Sequence, residues 1–145
     1  MNTREKAEKL FKKVDIFILS CVDSNGYPMT KAVVPNKHRE SLNEMYFATN
    51  TSSKFAAEIS KNKKASVYFY RKGVFAWEGC YLKGNMEIVT DLEIKERNWD
   101  EKFKDAYPEK SFTDPDYCVL KFVPSRGRLY ANYTIEEFDL NEEQR

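Results

Sequence analysis

Ile16-Phe17-Ile18-Leu19-Ser20-Cys21-Val22-Asp23-Ser24-Asn25-Gly26-Tyr27-Pro28 is the stretch that decides the fold class. Residues 16–22 are almost continuously apolar, the pattern of a strand buried on both faces. Asn25-Gly26 follows, and both residues tolerate the positive φ that tight hairpin turns demand. The chain therefore turns straight back, and the return strand runs from Tyr27 to about Val34.

Toward the N-terminus, residues 2–14 read as an amphipathic helix, with Asn2 and Glu5 spaced for capping and Ala7, Leu10, Phe11 and Val14 on one face. Toward the C-terminus, residues 36–43 are polar and read as a loop, and residues 44–48 as a third strand. Thr49-Asn50-Thr51-Ser52-Ser53 opens a short helix whose apolar stripe is Phe55, Ala56 and Ile59. Lys61-Asn62-Lys63-Lys64 ends it, and residues 65–70 form an aromatic-rich strand. Residues 74–89 read as one long strand, or two joined by a bend, with Gly79 and Gly84 at bulge or corner positions. Thr90 and Glu93 then open a helix that sets Leu92, Trp99, Phe103 and Tyr107 on a shared face, until Asp114-Pro115-Asp116 breaks it. Residues 117–123 and 129–133 give the last strands, with a weaker one over 137–140. About six strands and about three helices, without regular alternation, make a mainly β fold. An antiparallel barrel with peripheral helices fits this pattern better than a doubly wound parallel sheet.

The 145 residues fit one domain, residues 1–145, with surface enough to bury a core. Aromatic residues make up 14%, mostly ten Phe and nine Tyr in strand-like runs, which supports the β-rich reading. The net charge of +1 provides no long-range field toward nucleic acid or an anionic membrane. The three cysteines, Cys21, Cys80 and Cys118, are widely spaced, and His38 is the one histidine, so no metal site is expected. Reduced thiols, a charged N-terminus without the apolar segment of a signal peptide, and no bilayer-length run together point to a cytoplasmic protein.

Two features bear on chemistry. Lys54 lies in the first turn of a helix, where a cation opposes the helix dipole and no acidic residue in that turn offsets it. Hydroxyls, free N–H groups and an ammonium at one helix start make a phosphate site. Lys31 shares a strand face with the apolar Met29 and Val33, so its charge either snorkels to solvent or meets a bound anion. Capping with snorkelling, and a phosphate site, both remain open from spacing alone. His38 reads as solvated, residues 61–64 as a solvated turn before a core strand, and Trp77 as core packing or as a wall beside a planar ligand. No nucleophile motif, glycine-rich phosphate loop or paired-carboxylate spacing identifies a catalytic side chain.

Over roughly residues 5–125 the sequence resembles the pyridoxamine 5′-phosphate oxidase-like family of FMN-binding split barrels, especially its general-stress-protein branch. The likeness is carried by the order of segments: Asn25-Gly26-Tyr27-Pro28, then Met45-Tyr46-Phe47-Ala48-Thr49, Ser52-Ser53-Lys54, and Tyr81-Leu82-Lys83-Gly84-Asn85-Met86-Glu87. Phe47, Thr49, Ser52 and Lys54 match the family's pattern before the helix. The resemblance implies a split barrel that binds the FMN phosphate through Lys31, Ser52, Ser53 and Lys54, with Thr49 and Asn50 nearby. The backbone at Ala32 and Val33 would run beside the flavin ring. It also implies a homodimer with flavin sites at its interface, and an oxidoreductase taking electrons from a nicotinamide donor. A deazaflavin or haem in place of FMN, and a non-catalytic storage or sensing module, are the alternatives. Lys31 stands where arginine is commoner, and Glu78-Gly79 where true oxidases carry Arg-Gln. Tyr133-Thr134-Ile135-Glu136-Glu137-Phe138 has no likeness to their arginine-rich terminal motif. Pyridoxamine phosphate is therefore not the expected substrate.

Overall fold

In the computed structural model, which describes residues 1–36 and 38–140, β1 (Phe17–Val22) and β2 (Pro28–Val33) pair antiparallel, with Phe17 opposite Val33 and Val22 opposite Pro28. Lys37, within the expected polar loop, and residues 141–145 lie outside the described residues. Gly26 takes φ +84° at the turn, where Asp23 Oδ1 accepts the N–H groups of Asn25 and Tyr27, both at 2.9 Å. The apolar run is not buried on both faces as its composition suggests. Phe17, Leu19 and Cys21 enter the core, whereas Ile18, Ser20 and Val22 are only half-buried on the opposite face. There, Ser20 and Thr30 join hydroxyls at 3.0 Å.

Five more strands complete the sheet: β3 (Met45–Asn50), β4 (Lys64–Lys72), β5 (Trp77–Val89), β6 (Tyr117–Ala131) and β7 (Thr134–Asp139). The order is β2-β1-β4-β5-β6-β3, with β7 also paired to β6, and every pairing is antiparallel. The sheet does not close: β2 and β3 stand at its two ends, the arrangement of a split barrel. β6 is one strand of 15 residues, not two. Its residues 124–128 look like a loop in sequence but pair with β5 on one side and largely with β7 on the other. Arg126 donates to Asp139 Oδ1 at 2.7 Å and to Glu137 Oε2 at 3.0 Å across the β6–β7 pair. β7 is correspondingly longer than the weak strand expected over 137–140.

The helices are α1 (Thr3–Phe11), α2 (Lys54–Lys61) and α3 (Leu92–Arg97), followed by a 3₁₀ turn at Glu101–Ala106. Asn2 caps α1, as its spacing to Glu5 implies. The long helix expected after residue 90 is instead α3 plus the 3₁₀ turn. Asp91, not Thr90, caps α3, and Asp100 starts a fresh turn by accepting the Lys102 N–H. Leu92 and Phe103 consequently stay exposed, while Trp99 and Tyr107 pack together. The main core centres on Phe11, Phe17, Phe47 and Phe69, whose neighbouring ring centroids lie 5.3–5.8 Å apart. Such ring pairs add about 0.5–1.5 kcal/mol each beyond area burial.

α2 is fastened to the β1–β2 turn by Glu58, which is 3% exposed. Its Oε2 accepts the Ser24 hydroxyl at 2.8 Å, and its Oε1 lies 3.3 Å from the Lys54 ammonium. The Ser24 hydrogen bond, with help from Lys54 and Lys61, holds the carboxyl below its ordinary value of 4.5 against the opposing effect of burial.

Two outcomes follow from this packing. The strands bulge between Lys83 and Gly84, where a Cβ on Gly84 would meet Val123 O at 2.1 Å and Pro124 Cα at 2.7 Å. Gly84→Ala should lower unfolding free energy by about 1–3 kcal/mol, read from the urea midpoint. A carboxyl with a depressed folded-state pKa stabilises the fold above its unfolded value, here 4.5, and that contribution is lost as pH falls through the lower folded value. A urea-midpoint series from neutral to about pH 3 should therefore be flatter below that value in Glu58→Gln than in the parent. An unchanged acid limb would show that Glu58 does not carry it.

Candidate cofactor site at the open seam

Lys31 leaves β2 toward β3 and donates to Thr49 Oγ1 at 2.8 Å, joining the two end strands of the open sheet. Its ammonium also sits 4.8 Å from the centroid of the Phe55 ring. Burial lowers the Lys31 pKa, an effect only partly offset by Cys118 and Cys21 nearby. Among the described residues no carboxylate forms an ion pair with it. A cation half-withdrawn from water, with one hydroxyl and one ring for company, is chemically suited to an anion at the seam.

The start of α2 lies on the same side of β3. Ser53 caps the helix, its Oγ accepting the Ala56 N–H at 3.1 Å, and no acidic residue stands in the first turn. The first-turn N–H groups of Lys54 and Phe55 have no acceptor within the helix itself. The Lys54 side chain is 72% exposed and its ammonium pairs with Glu58. The two candidate lysines thus have different partners, Thr49 for Lys31 and Glu58 for Lys54.

The Asn50 side chain and the Ser52 N–H are held by Asp116. Asp116 Oδ2 accepts the Asn50 side-chain amide at 2.8 Å, and Oδ1 accepts the Ser52 N–H at 2.9 Å. The Thr51 N–H donates to the Asp116 carbonyl at 2.7 Å, and the Thr51 hydroxyl to the Pro115 carbonyl at 3.1 Å. The donors from Asn50 and Ser52 hold the Asp116 carboxyl below its ordinary value. Asp116 thus shapes the loop from outside it, and β3–β6 pairing, Asn50 opposite Tyr117, delivers it there. The seam thus brings together Lys31 and Thr49, with Phe55 beside the ammonium, while Ser52, Ser53 and Lys54 stand at the start of α2. Ala32 is exposed and Val33 half-buried on the adjoining stretch of β2.

Sequence reasoning missed Phe55 as a contact of Lys31, Glu58 as the partner of Lys54, and Asp116. Glu58 was findable from its i,i+4 spacing to Lys54, but the Asp116 contact depends on strand register. Trp77 is not core: it is 45% exposed and stacks on Tyr130 at 4.4 Å between centroids. All three cysteines are buried and free, and His38 is exposed. Among the described residues no helix is long and apolar enough to cross a membrane.

Residues 3–131 match the pyridoxamine 5′-phosphate oxidase family. A search of the curated proteins found no match. Among solved structures, the chain is similar to a Clostridium acetobutylicum protein related to general stress protein 26 of Bacillus subtilis, of the pyridoxine phosphate oxidase family. They are 30% identical over 95% of this chain and 94% of that one, with a TM-score of 0.80. A pyridoxamine 5′-phosphate oxidase-related, FMN-binding protein of Nostoc punctiforme has the same fold at 15% identity, TM-score 0.75, covering 100% of this chain and 94% of that one. A haem-binding protein of Mycobacterium smegmatis also shares it, at 13% identity and TM-score 0.75, over 96% of this chain and 58% of that one. The open seven-stranded sheet, the segment order around the seam and the match across most of the chain agree, and the protein belongs to the pyridoxamine 5′-phosphate oxidase-like split-barrel family, on the side of its general-stress-protein branch.

Proposed function

We propose that the chain binds FMN at the seam as a homodimer and passes electrons from a reduced nicotinamide, through the flavin, to a small acceptor. The observation that carries this reading is the Lys31 ammonium, half-buried between β2 and β3 with no carboxylate partner among the described residues. A phosphate would take hydrogen bonds from Lys31, the Thr49 and Ser53 hydroxyls and the first-turn amides of α2. Lys54 would exchange its exposed pairing with Glu58 for the phosphate. The flavin, when bound, supplies hydride and electron transfer; the protein's part is to hold and orient it. Lys31 fixes the phosphate end, and the β2 backbone at Ala32 and Val33 flanks the ring. Asp116, by accepting the Asn50 amide and the Ser52 N–H, keeps the loop in shape, and the Ser52 hydroxyl would join those of Thr49 and Ser53 at the phosphate.

Haem is the second reading, favoured by the fold shared with the Mycobacterium smegmatis protein. The absorption spectrum of the purified protein separates the two: a flavin band with FMN identified by mass supports the proposal, and an iron-linked Soret band replaces it. Bleaching of bound FMN by NADH or NADPH tests the oxidoreductase part.

The phosphate assignment makes a sharper demand. Losing a charge-assisted contact costs about 1.5–3 kcal/mol, so Lys31→Met should weaken FMN by roughly tenfold to a hundredfold and leave riboflavin, which has no phosphate, unchanged. Lys54→Ala should act in the same sense. Equal losses for the two ligands by isothermal titration would contradict the phosphate roles. Because Lys31 is held half-dehydrated in the folded state, Lys31→Met should also raise the melting temperature of the ligand-free protein.

A further inference from the structure

Where β4 turns into β5, a hollow of about 500 Å³ opens on the outer face of the sheet, and none of its walls comes from β2, β3 or α2. We infer that this hollow binds a small amphipathic anion, an apolar body carrying one carboxylate, sulfonate or sulfate head. The inference goes beyond the flavin reading and does not rest on it.

Strand alternation builds the walls. Val67 and Phe69 of β4 enter the core, so Tyr68, Tyr70 and Lys72 stand on the opposite face. Register sets Trp77 opposite Lys72 and Gly79 opposite Tyr70. A Cβ on Gly79 would run into the Tyr68 hydroxyl and come within 2.9 Å of the Trp77 ring. The bare backbone of Gly79 therefore lets both rings lie close over the sheet. Tyr130 stacks on Trp77, with 4.4 Å between centroids, and fixes the indole in place. The Gly73 N–H donates to the Ala76 carbonyl at 2.8 Å, and the Tyr133 hydroxyl to the Phe75 carbonyl at 3.4 Å. The hollow is thus formed before a guest arrives.

Exposure and size point to a guest. At the turn Phe75 is 94% exposed and Val74 91%, while Tyr70 and Trp77 keep about half their surface open. Single exposed apolar residues need no explanation, but a contiguous patch of them marks a binding surface. The volume falls within the roughly 300–1,000 Å³ of small-molecule sites.

Charge narrows the class. Lys72 is the only charged residue on the walls, and among the described residues no carboxylate forms an ion pair with it. Glu78 lies opposite Arg71, on the other face of the hairpin. An ammonium at the edge of an aromatic hollow complements an anionic head on an apolar body. A second copy of the chain fits less well. A two-fold contact through this face would set Lys72 against its own like charge.

Two matched fluorescent probes test the site: 1-anilinonaphthalene-8-sulfonate, and N-phenyl-1-naphthylamine, which has the same rings without the sulfonate. Emission of the sulfonate should rise saturably with the folded protein. Lys72→Glu, an exposed change that spares the core, should weaken the sulfonate about fivefold to tenfold and leave the uncharged probe unchanged. Phe75→Ser, equally exposed, should weaken both probes several-fold. Prior saturation with FMN should leave both titrations intact. An unsaturable rise, an equal response of the two probes to Lys72→Glu, indifference to Phe75→Ser, or displacement by FMN would each overturn the inference. So would an affinity that falls as protein concentration rises, the mark of a second copy covering the hollow. Saturable, Lys72-dependent binding in a protein that takes up no FMN would sustain the anion site and remove the flavin reading alone.

Discussion

A lysine ammonium held between two strand edges that never meet is the constraint on which this structure turns. An open sheet leaves β2 and β3 each with an unpaired side, and exposed edges invite pairing with other chains. Here the Lys31–Thr49 hydrogen bond spans the gap, beside the ring of Phe55. That contact is a poor substitute for backbone pairing and leaves a positive charge incompletely compensated. The fold tolerates it because four phenylalanines and the long β5–β6 ladder, interrupted by one bulge, supply cohesion elsewhere.

Two carboxylates keep negative charge close to the seam without placing it on Lys31. Glu58 fastens α2 to the β1–β2 turn, and Asp116 fastens the loop before α2 to the start of β6. Each satisfies donors that would otherwise be loose: the Ser24 hydroxyl in one case, the Asn50 amide and Ser52 N–H in the other. The result is a helix start whose position is fixed from two sides while its first turn carries no acid. Rigid supports around a cation bonded only to a hydroxyl and a ring are the arrangement expected of a preorganised anion site.

Features written in local chemistry were readable from the residues. Asn25-Gly26 announces its hairpin, Asn2 its helix cap, and the hydroxyls before Lys54 the start of α2. Gly84 marks a real irregularity because only a residue without Cβ allows Val123 so near. What depended on pairing between distant segments was not readable. Residues 124–128 look like a loop, with a proline and a glycine among polar residues, yet ladders on both sides keep them extended. The 90–107 pattern has helical spacing, but Asp100 competes for the backbone and restarts the turn. Lys31 was legible as a charge on an apolar face; its meeting with Thr49 and Phe55 was not, because no local rule sets the distance between the ends of an open sheet.

The most direct test of the central claim is a crystal structure of the protein grown with FMN in excess. The account predicts phosphate oxygens within hydrogen-bonding distance, about 2.7–3.2 Å, of the Lys31 ammonium and the first-turn amides of α2, with the Lys54 ammonium turned from Glu58 toward the phosphate. A flavin phosphate bound away from the seam, with Lys31 still bonded only to Thr49, would contradict it.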